Sequence, residues 1–250
     1  MKKALLFLAI LAFVVTGNGQ SLAINTDGSP ANASAILDVK STTKGFLPPR
    51  LDSTQRNAIS SPAAGLVIYN TSINALQCYN GTSWYSTVHY IGESYGGGIV
   101  FYLYDSGQHG LIAATTDQST STMRWYGGSY TNTCARGNGI GSGLKNTAII
   151  IANQGPVDGA TFAARVCNEY SVTVGGITYG DWYLPSKFEL NLMYSQLNVI
   201  GGFTTSSAYY WTSTEVDANT AWIQSFINGT QGPDNKNQPT FKYVRAMRTF

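Results

Sequence analysis

The chain has 250 residues and a formal net charge of +2, with 43% hydrophobic and only 11% charged residues. An average soluble domain has about 25% charged residues, so this composition argues against long helical bundles, coiled coils and basic nucleic-acid-binding proteins. It also argues against a disordered or membrane-embedded chain. The 27 Gly and 16 Tyr residues are typical of turn-rich β structure with uncharged, hydrogen-bonding surfaces.

The N-terminal segment has the pattern of a secretory signal peptide. Two lysines precede an apolar run of 12 residues, Ala4 to Val15, and Gly17 and Gly19 suit the −3 and −1 positions of a cleavage site. A membrane-spanning helix needs about 20 apolar residues, so a retained anchor is the less favoured alternative. We predict that residues 1–19 are a signal peptide, that the protein is secreted or lies on the cell surface, and that it does not insert into the membrane after cleavage. Without the two lysines, 13 basic and 13 acidic residues remain, so no nucleic-acid partner is expected.

The three cysteines are interpreted in the light of this predicted export, because an oxidising compartment favours disulfides. We predict a bridge between Cys134 and Cys167, which would tie a Gly- and Asn-rich loop to a short predicted helix. Cys78 is then unpaired. Its alternating surroundings favour a small, half-buried strand residue, with an intermolecular bridge or a reactive thiol as the alternatives.

Residues 20–90 predict a small β-rich module of short strands and tight turns. Strands are expected over residues 35–39, 66–69, 75–79 and 83–87, with one or two helical turns over 53–59. Asn80-Gly81 supplies the positive-φ residues of a tight hairpin between the last two strands. A core of this size is marginal alone, so we expect the module to need partners, as in a trimeric stalk.

Three segments of this module carry a family resemblance. Ala35–Arg50, which ends in Gly-Phe-Leu-Pro-Pro-Arg, together with Thr54–Ile59 and Gly65–Asn70, resembles the N-terminal segment of many secreted bacterial surface and tail-fibre-like proteins. The resemblance covers residues 30–86 and implies a stalk or attachment module rather than a catalyst. It makes a homotrimer a candidate assembly and implies no site residues.

From residue 91 onward the predicted elements are longer. Strands are expected over 99–104, 111–114, 208–214, 220–227 and 241–249, and helices over 146–153 and 160–170. Ser186 and Glu189 form an S-x-x-E capping box that places another helix start at Ser186. The turn-rich segments 215–219 and 228–239 are predicted surface loops. Helices followed by a terminal antiparallel sheet predict an α+β fold.

This second region also carries a resemblance, through motifs at Gly96–Phe101, His109–Ile112, Gly180–Ser186, Tyr210–Thr214 and Val244–Arg248. In this order they resemble the C-terminal domain family of bacterial collagen-like adhesins, whose function is otherwise unassigned. The resemblance covers residues 91–250. It implies a C-type-lectin-like fold with antiparallel sheets and two or three short helices, in which the first and last strands meet and long loops present a binding surface. Many members of that family are extracellular and adhesive.

The sequence offers no catalytic motif, and the protein is not expected to be an enzyme. His89 and His109 are the only histidines, and each is interpreted as structural or merely exposed. A hydrolase stays the least favoured alternative, and it requires clustered carboxylates or His109 in a cleft. No cofactor is predicted apart from a candidate calcium ion.

The candidate calcium ligands lie in the two loops near the end of the chain. Glu215, Asp217 and Asn219 alternate along the first, and Asp234 and Asn235 lie in the second. Ca²⁺ needs six to eight oxygen ligands, so convergence of these loops would make a site with Asp217 and Asp234 at its centre. The alternative is a pair of solvated turns without an ion.

Two further sets of residues are candidates for contact with a glycan. Trp125 and Tyr126 lie near a Gly-rich loop and would offer a ring platform if exposed. Basic residues are candidates for an acidic polysaccharide, namely Arg124, Arg136, Lys145, Lys242, Arg245 and Arg248. The sequence therefore predicts an adhesion protein that recognises a glycan or an extracellular protein through loops of a lectin-like domain. A structural fibre or matrix subunit without small-ligand binding is the alternative.

Overall fold

The computed structural model describes residues 21–119, 123–155, 160–206 and 208–250. The predicted signal peptide, residues 1–19, lies outside these residues. The chain divides into two compact units between Pro49 and Arg50. Among the helices of the described residues, none is long and apolar enough to cross a membrane.

The first unit contains one pair of short strands. β1 (Leu22–Ile24) and β2 (Leu37–Val39) run parallel and pair over all three residues. β2 forms the last part of the strand predicted over residues 35–39, whereas β1 was not predicted. Pro48 is the only buried residue in the described part of this unit, residues 21–49. The described part of the unit therefore has no apolar core of its own.

The second unit begins with a four-stranded sheet in the order β3, β4, β5, β6. The strands are β3 (Arg50–Leu51), β4 (Val67–Asn70), β5 (Ala75–Tyr79) and β6 (Trp84–Ser86), and α1 (Ser53–Asn57) lies between β3 and β4. β3 and β4 are parallel, and the other neighbours are antiparallel. The strands predicted for β4, β5 and β6 are confirmed to within one residue at each end, because alternation and the Asn80-Gly81 turn are local signals.

A second four-stranded sheet joins the start and the end of the predicted C-terminal domain. Its order is β16, β9, β8, β7, with β7 (Ser94–Tyr95), β8 (Gly98–Tyr104), β9 (His109–Ala113) and β16 (Met247–Thr249). A single 3₁₀ turn, Asp105–Gly107, connects β8 to β9. The first and last strands of the region thus lie in one sheet, as the resemblance implied.

Along the chain after β9, the described residues form four helices and a hairpin. They are α2 (Ser142–Gln154), α3 (Ala163–Glu169), the hairpin of β10 (Val172–Val174) and β11 (Ile177–Tyr179), α4 (Lys187–Ser195) and α5 (Leu197–Ile200). α4 begins with the predicted capping box, in which Ser186 accepts a hydrogen bond from the backbone of Glu189 and the Glu189 side chain accepts one from the backbone of Ser186.

The third four-stranded sheet corrects two expectations. Its order is β14, β13, β12, β15, with β12 (Tyr209–Glu215), β13 (Thr220–Ser225), β14 (Gln231–Asn235) and β15 (Lys242–Tyr243). β14 lies in the predicted loop 228–239, and it accommodates Pro233 because an edge strand leaves one side of its backbone unpaired. The strand predicted over 241–249 is instead divided between β15 and β16, which belong to different sheets.

The described residues thus form an α+β protein of several sheets and short helices. The predicted boundary at residue 90 does not coincide with the division between the compact units. The ring of His89 makes contacts across the predicted boundary, since its centroid lies 4.1 Å from that of Tyr95 and 4.6 Å from that of Phe250. Residues on both sides of the predicted boundary therefore pack together.

Candidate functional site

Trp125 and Tyr126 do not form an exposed platform. Trp125 has no exposed surface and Tyr126 is 6% exposed, because both lie in the larger apolar core. The Trp125 indole Nε1 donates a hydrogen bond of 2.8 Å to the carbonyl oxygen of Thr212. The prediction of a sugar-binding ring surface at these residues is wrong, since a ring in the core cannot stack on a sugar.

Glu215 is also buried. It forms an ion pair with Lys236 and is not the surface-loop calcium ligand that was predicted. Its Oε1 lies 2.6 Å from Nζ of Lys236, and both side chains are fully shielded from solvent. The backbone amides of Thr133 and Cys134 each donate a 2.8 Å hydrogen bond to the carboxylate. Burial lowers the pKa of Lys236, while Glu215 opposes that shift. Glu215 therefore connects three segments of the chain and is not available to an ion at the surface.

Asp217 and Asn219 remain exposed and organise their own turn. Oδ1 of Asp217 accepts hydrogen bonds of 2.8 Å from the backbone amides of Asn219 and Thr220, and one of 3.0 Å from the Thr220 hydroxyl. These hydrogen bonds, led by that from Asn219, hold the pKa of Asp217 below its usual value. The contacts match the alternative of a solvated turn.

Asp234 and Asn235 lie on the edge strand β14 and have their own partners. Oδ2 of Asp234 is 2.8 Å from Nζ of Lys242, and Oδ1 of Asn235 accepts a 2.8 Å hydrogen bond from the hydroxyl of Tyr130. No group of three or more His, Cys, Asp or Glu side chains in the described residues is arranged to hold a metal ion. The calcium site at Asp217 and Asp234 therefore stays a prediction.

The three cysteines are free, and the predicted Cys134–Cys167 bridge is not formed. Cys167 lies on α3 with no exposed surface, inside the larger core, and burial raises the pKa of its thiol. Cys134 is exposed in a loop, where its thiol contacts Asn132. Spacing along the chain predicted the pair, but the fold directs one thiol into the core and the other to solvent. Cys78 is half-buried, as predicted.

Two of the basic candidates for binding an acidic polymer are buried. Lys242 is 4% exposed, and Arg245 has no exposed surface. Arg245 Nε lies 2.7 Å from Oδ1 of Asp117, and the guanidinium also donates to backbone carbonyl oxygens of Ala114 and Gly202. These cations stabilise the fold and are not free to contact a polymer.

Asp117 links this buried cluster to a surface groove. Its Oδ2 accepts a 2.8 Å hydrogen bond from the hydroxyl of Tyr210, and its Oδ1 contacts Arg245. Burial raises the pKa of Asp117, although Arg245 and Tyr210 act in the opposite direction. The groove has a volume of about 390 Å³ and is lined by Gln118, Glu169 and Tyr170 as well as Asp117. No local pattern in the sequence indicates this grouping.

Tyr170 is held at the groove by an edge-to-face contact with Trp182, with ring centroids 5.2 Å apart. The remaining lining adds the Thr116 and Thr161 side chains and the apolar Val166. Carboxylates, an amide and hydroxyls suit a ligand rich in hydroxyl groups, and one aromatic ring suits the apolar face of a sugar.

The N-terminal unit presents an exposed apolar face, which we call the β1–β2 face. Because side chains alternate along a strand, it comprises Leu22, Ile24, Leu37 and Val39. These residues are 58%, 53%, 50% and 43% exposed, respectively. Two paired strands are not stable by themselves in water. The β1–β2 face therefore has the character of a surface that other chain segments cover.

Residues 23–107 match the sequence family described as "Phage tail like trimerisation region". No curated protein matches the chain. The matched segment contains most of the β1–β2 face and continues through β8 into the following 3₁₀ turn. It agrees with the predicted similarity to tail-fibre-like modules and extends past the expected module end at residue 90. The match indicates a fibre- or stalk-like structural module and is consistent with a homotrimer.

Proposed function

We propose, from the similarity of residues 23–107 to a trimerisation region, that the protein is a homotrimeric attachment protein that acts outside the cell. The single observation that supports this function best is the exposed β1–β2 face. An isolated pair of three-residue strands leaves its aliphatic side chains in water, whereas assembly of three copies removes them from it.

The energetics favour association over exposure. Burial of an aliphatic side chain stabilises by about 1.5–3 kcal/mol, and each chain contributes four such side chains that are already partly covered. Trimer assembly joins two further chains to the first, and each step has an association cost of about 4–15 kcal/mol that this burial opposes. The match to a trimerisation region favours three copies over two.

Replacing Leu37 with aspartate is expected to dissociate the trimer. The change places a carboxylate in each copy of the β1–β2 face, where equivalent charges approach one another around the symmetry axis. Light scattering on the chain starting at Gln20 should give about three times the chain mass for the wild type and a single chain mass for L37D. Ile227, which is 55% exposed in the turn before β14, supplies the control variant I227D, which should remain trimeric. A monomeric wild type at micromolar concentration would contradict the proposal.

A second candidate function is recognition of a glycan or another hydroxyl-rich extracellular polymer by the C-terminal region, which we propose to be lectin-like. The groove beside Asp117, Glu169 and Tyr170 favours it, because it combines hydrogen-bonding groups with one aromatic ring. Both oxygens of Asp117 already have partners in Arg245 and Tyr210, so we assign this carboxylate to orienting those side chains rather than to acid–base chemistry. The His109 side chain is 54% exposed and does not line the groove, which disfavours the hydrolase alternative.

Tyr170→Ala is expected to weaken glycan binding by about fivefold or more, since a stacking ring contributes about 1 kcal/mol or more to such contacts. The measurement is an array of glycans and matrix polymers, probed with wild type and variant at matched concentrations. Tyr130→Ala is the control, because Tyr130 is 46% exposed and lies outside the groove. If a glycan binds Y170A as tightly as it binds wild type, the groove is not the binding site. If that binding is lost when calcium is chelated, Asp217 and Asp234 become the residues to test.

A further inference from the structure

The sheet formed by β3 to β6 has an unusual distribution of polar and apolar residues. Its outward side, which we call the outer face, comprises Val67 and Tyr69 from β4, Leu76 and Cys78 from β5, and Tyr85 from β6. Val67, Leu76 and Tyr85 are 42%, 40% and 50% exposed. Arg50, at the β3 edge, is the charged residue on this side. The three central strands therefore present an uncharged, largely apolar surface.

The opposite side of the same strands is mixed, because it buries Ile68 and Ala75 beside the amides of Asn70 and Gln77. Asn70 and Gln77 have at most 2% exposed surface, and the Asn70 amide donates a 2.8 Å hydrogen bond to Oε1 of Gln77. Arg56 donates a second hydrogen bond of 2.7 Å to the same oxygen, and the Gln77 amide donates to the hydroxyl of Ser86 at 3.2 Å. This network satisfies the polar groups that are buried on that side of the sheet.

A sheet with one solvated side normally places its polar residues in water and its apolar residues in the core. Here the covered side holds hydrogen-bonded amides together with Ile68 and Ala75, and the exposed side carries aliphatic and aromatic side chains as well. An exposed apolar patch of this kind marks a surface that another molecule covers.

We propose that the outer face is a second contact surface between subunits, and that its occupant is another copy of this chain. The inference rests on the proposed homotrimer and extends the contact beyond the β1–β2 face. All strands of the sheet lie within residues 23–107, the segment that matches a trimerisation region. An uncharged surface also suits self-association around a symmetry axis, because equivalent residues meet there without like-charge repulsion.

The first test is the variant Leu76→Glu. Leu76 is exposed in the single chain, so the substitution leaves the fold of the sheet intact while placing a charge in the subunit contact. We expect the concentration of half-dissociation, measured by sedimentation or light scattering, to rise by at least about tenfold. This corresponds to about 2.7 kcal/mol per trimer, because the dissociation constant of a trimer varies with the square of that concentration. Ile177→Glu is the control, because Ile177 is 58% exposed at the tip of the β10–β11 hairpin. An L76E trimer as stable as I177E would overturn the inference.

The second test uses the thiol of Cys78 as a reporter of contact. Wild-type protein is labelled with N-ethylmaleimide at chain concentrations above and below the concentration of half-dissociation of the trimer. Labelled peptides are then quantified by mass spectrometry. We expect labelling of Cys78 to be at least about tenfold slower in the trimer than in the dissociated chain. Exposed Cys134 should react equally at both concentrations, and buried Cys167 should stay unlabelled in both.

The outcomes separate the two proposals. A wild-type chain that is monomeric at every concentration would overturn the homotrimer and, with it, this inference. A wild-type trimer in which Cys78 reacts at the monomer rate, or which L76E does not weaken, would overturn the outer face as a contact and leave the homotrimer standing. A trimer that protects Cys78 and is weakened by L76E would support both.

Discussion

Replacing Lys236 with methionine is expected to lower the free energy of unfolding by about 3–5 kcal/mol, because it leaves the Glu215 carboxylate buried without its cation. Lys236 Nζ lies 2.6 Å from that carboxylate, donates to the carbonyl oxygen of Thr131 at 3.0 Å and lies 4.5 Å from the centre of the Trp125 ring. Methionine retains most of the side-chain volume, so the loss reports the charge rather than a cavity. Urea denaturation at fixed chain concentration, followed by circular dichroism, measures the change.

The control for this variant breaks an exposed ion pair. Glu169→Gln removes the 3.9 Å contact between Glu169 and Arg165, whose side chains are 64% and 29% exposed, respectively. It should change the free energy of unfolding by no more than about 0.5 kcal/mol. The double variant K236M/E215Q should be less destabilised than the sum of its single changes, since it removes the stranded charge as well. A loss below about 1 kcal/mol for K236M would show that Glu215 obtains sufficient stabilisation from its backbone donors.

Glu189→Gln is expected to lower the free energy of unfolding by about 3 kcal/mol or more, although the two side chains have nearly the same shape. The carboxylate of Glu189 accepts hydrogen bonds from the backbone amides of Gly141, Gly143 and Ser186, at 2.7, 3.0 and 2.8 Å. The hydroxyl of Tyr183 donates a further one at 3.3 Å. Glutamine has one acceptor oxygen, so its amide group would face backbone donors on the other side.

Thermal and urea unfolding of E189Q, compared with wild type at the same chain concentration, measures this loss. Asp105→Asn is the matched change at the surface, because the Asp105 side chain is 68% exposed and its Oδ2 lies 3.7 Å from Nε2 of His109. It should be neutral to within about 0.5 kcal/mol. Equal stability of the two variants would mean that the Glu189 site rearranges to satisfy an amide.

The features that the sequence predicted well are those encoded by neighbouring residues. The capping box of Ser186 and Glu189 forms as expected, because both partners lie within one helical turn. Strands β4 and β5 follow the alternation of their side chains. The resemblance to tail-fibre-like proteins correctly indicated a fibre- or stalk-like module near the N-terminus. The match of residues 23–107 to a trimerisation region supports this interpretation.

The candidate site residues were predicted less well, because their environments depend on distant segments. Turn-rich composition placed Glu215 in a solvated loop, but its carboxylate accepts hydrogen bonds from the backbone of residues more than 80 positions away. Trp125 follows the same pattern, since its indole partner, Thr212, lies 87 positions away. Local sequence carries no information on such partners without the fold.

By itself, the sequence determined the α+β class and the order of most strands and helices. These properties follow from short-range periodicity, capping and turn chemistry. Only the tertiary structure decided that Cys134 and Cys167 are apart, that Asp117 and Glu169 share a groove, and that the outer face of the β3–β6 sheet is the exposed one. Burial and long-range pairing depend on how elements pack, and alternation alone specifies two faces of a strand without specifying which one meets water.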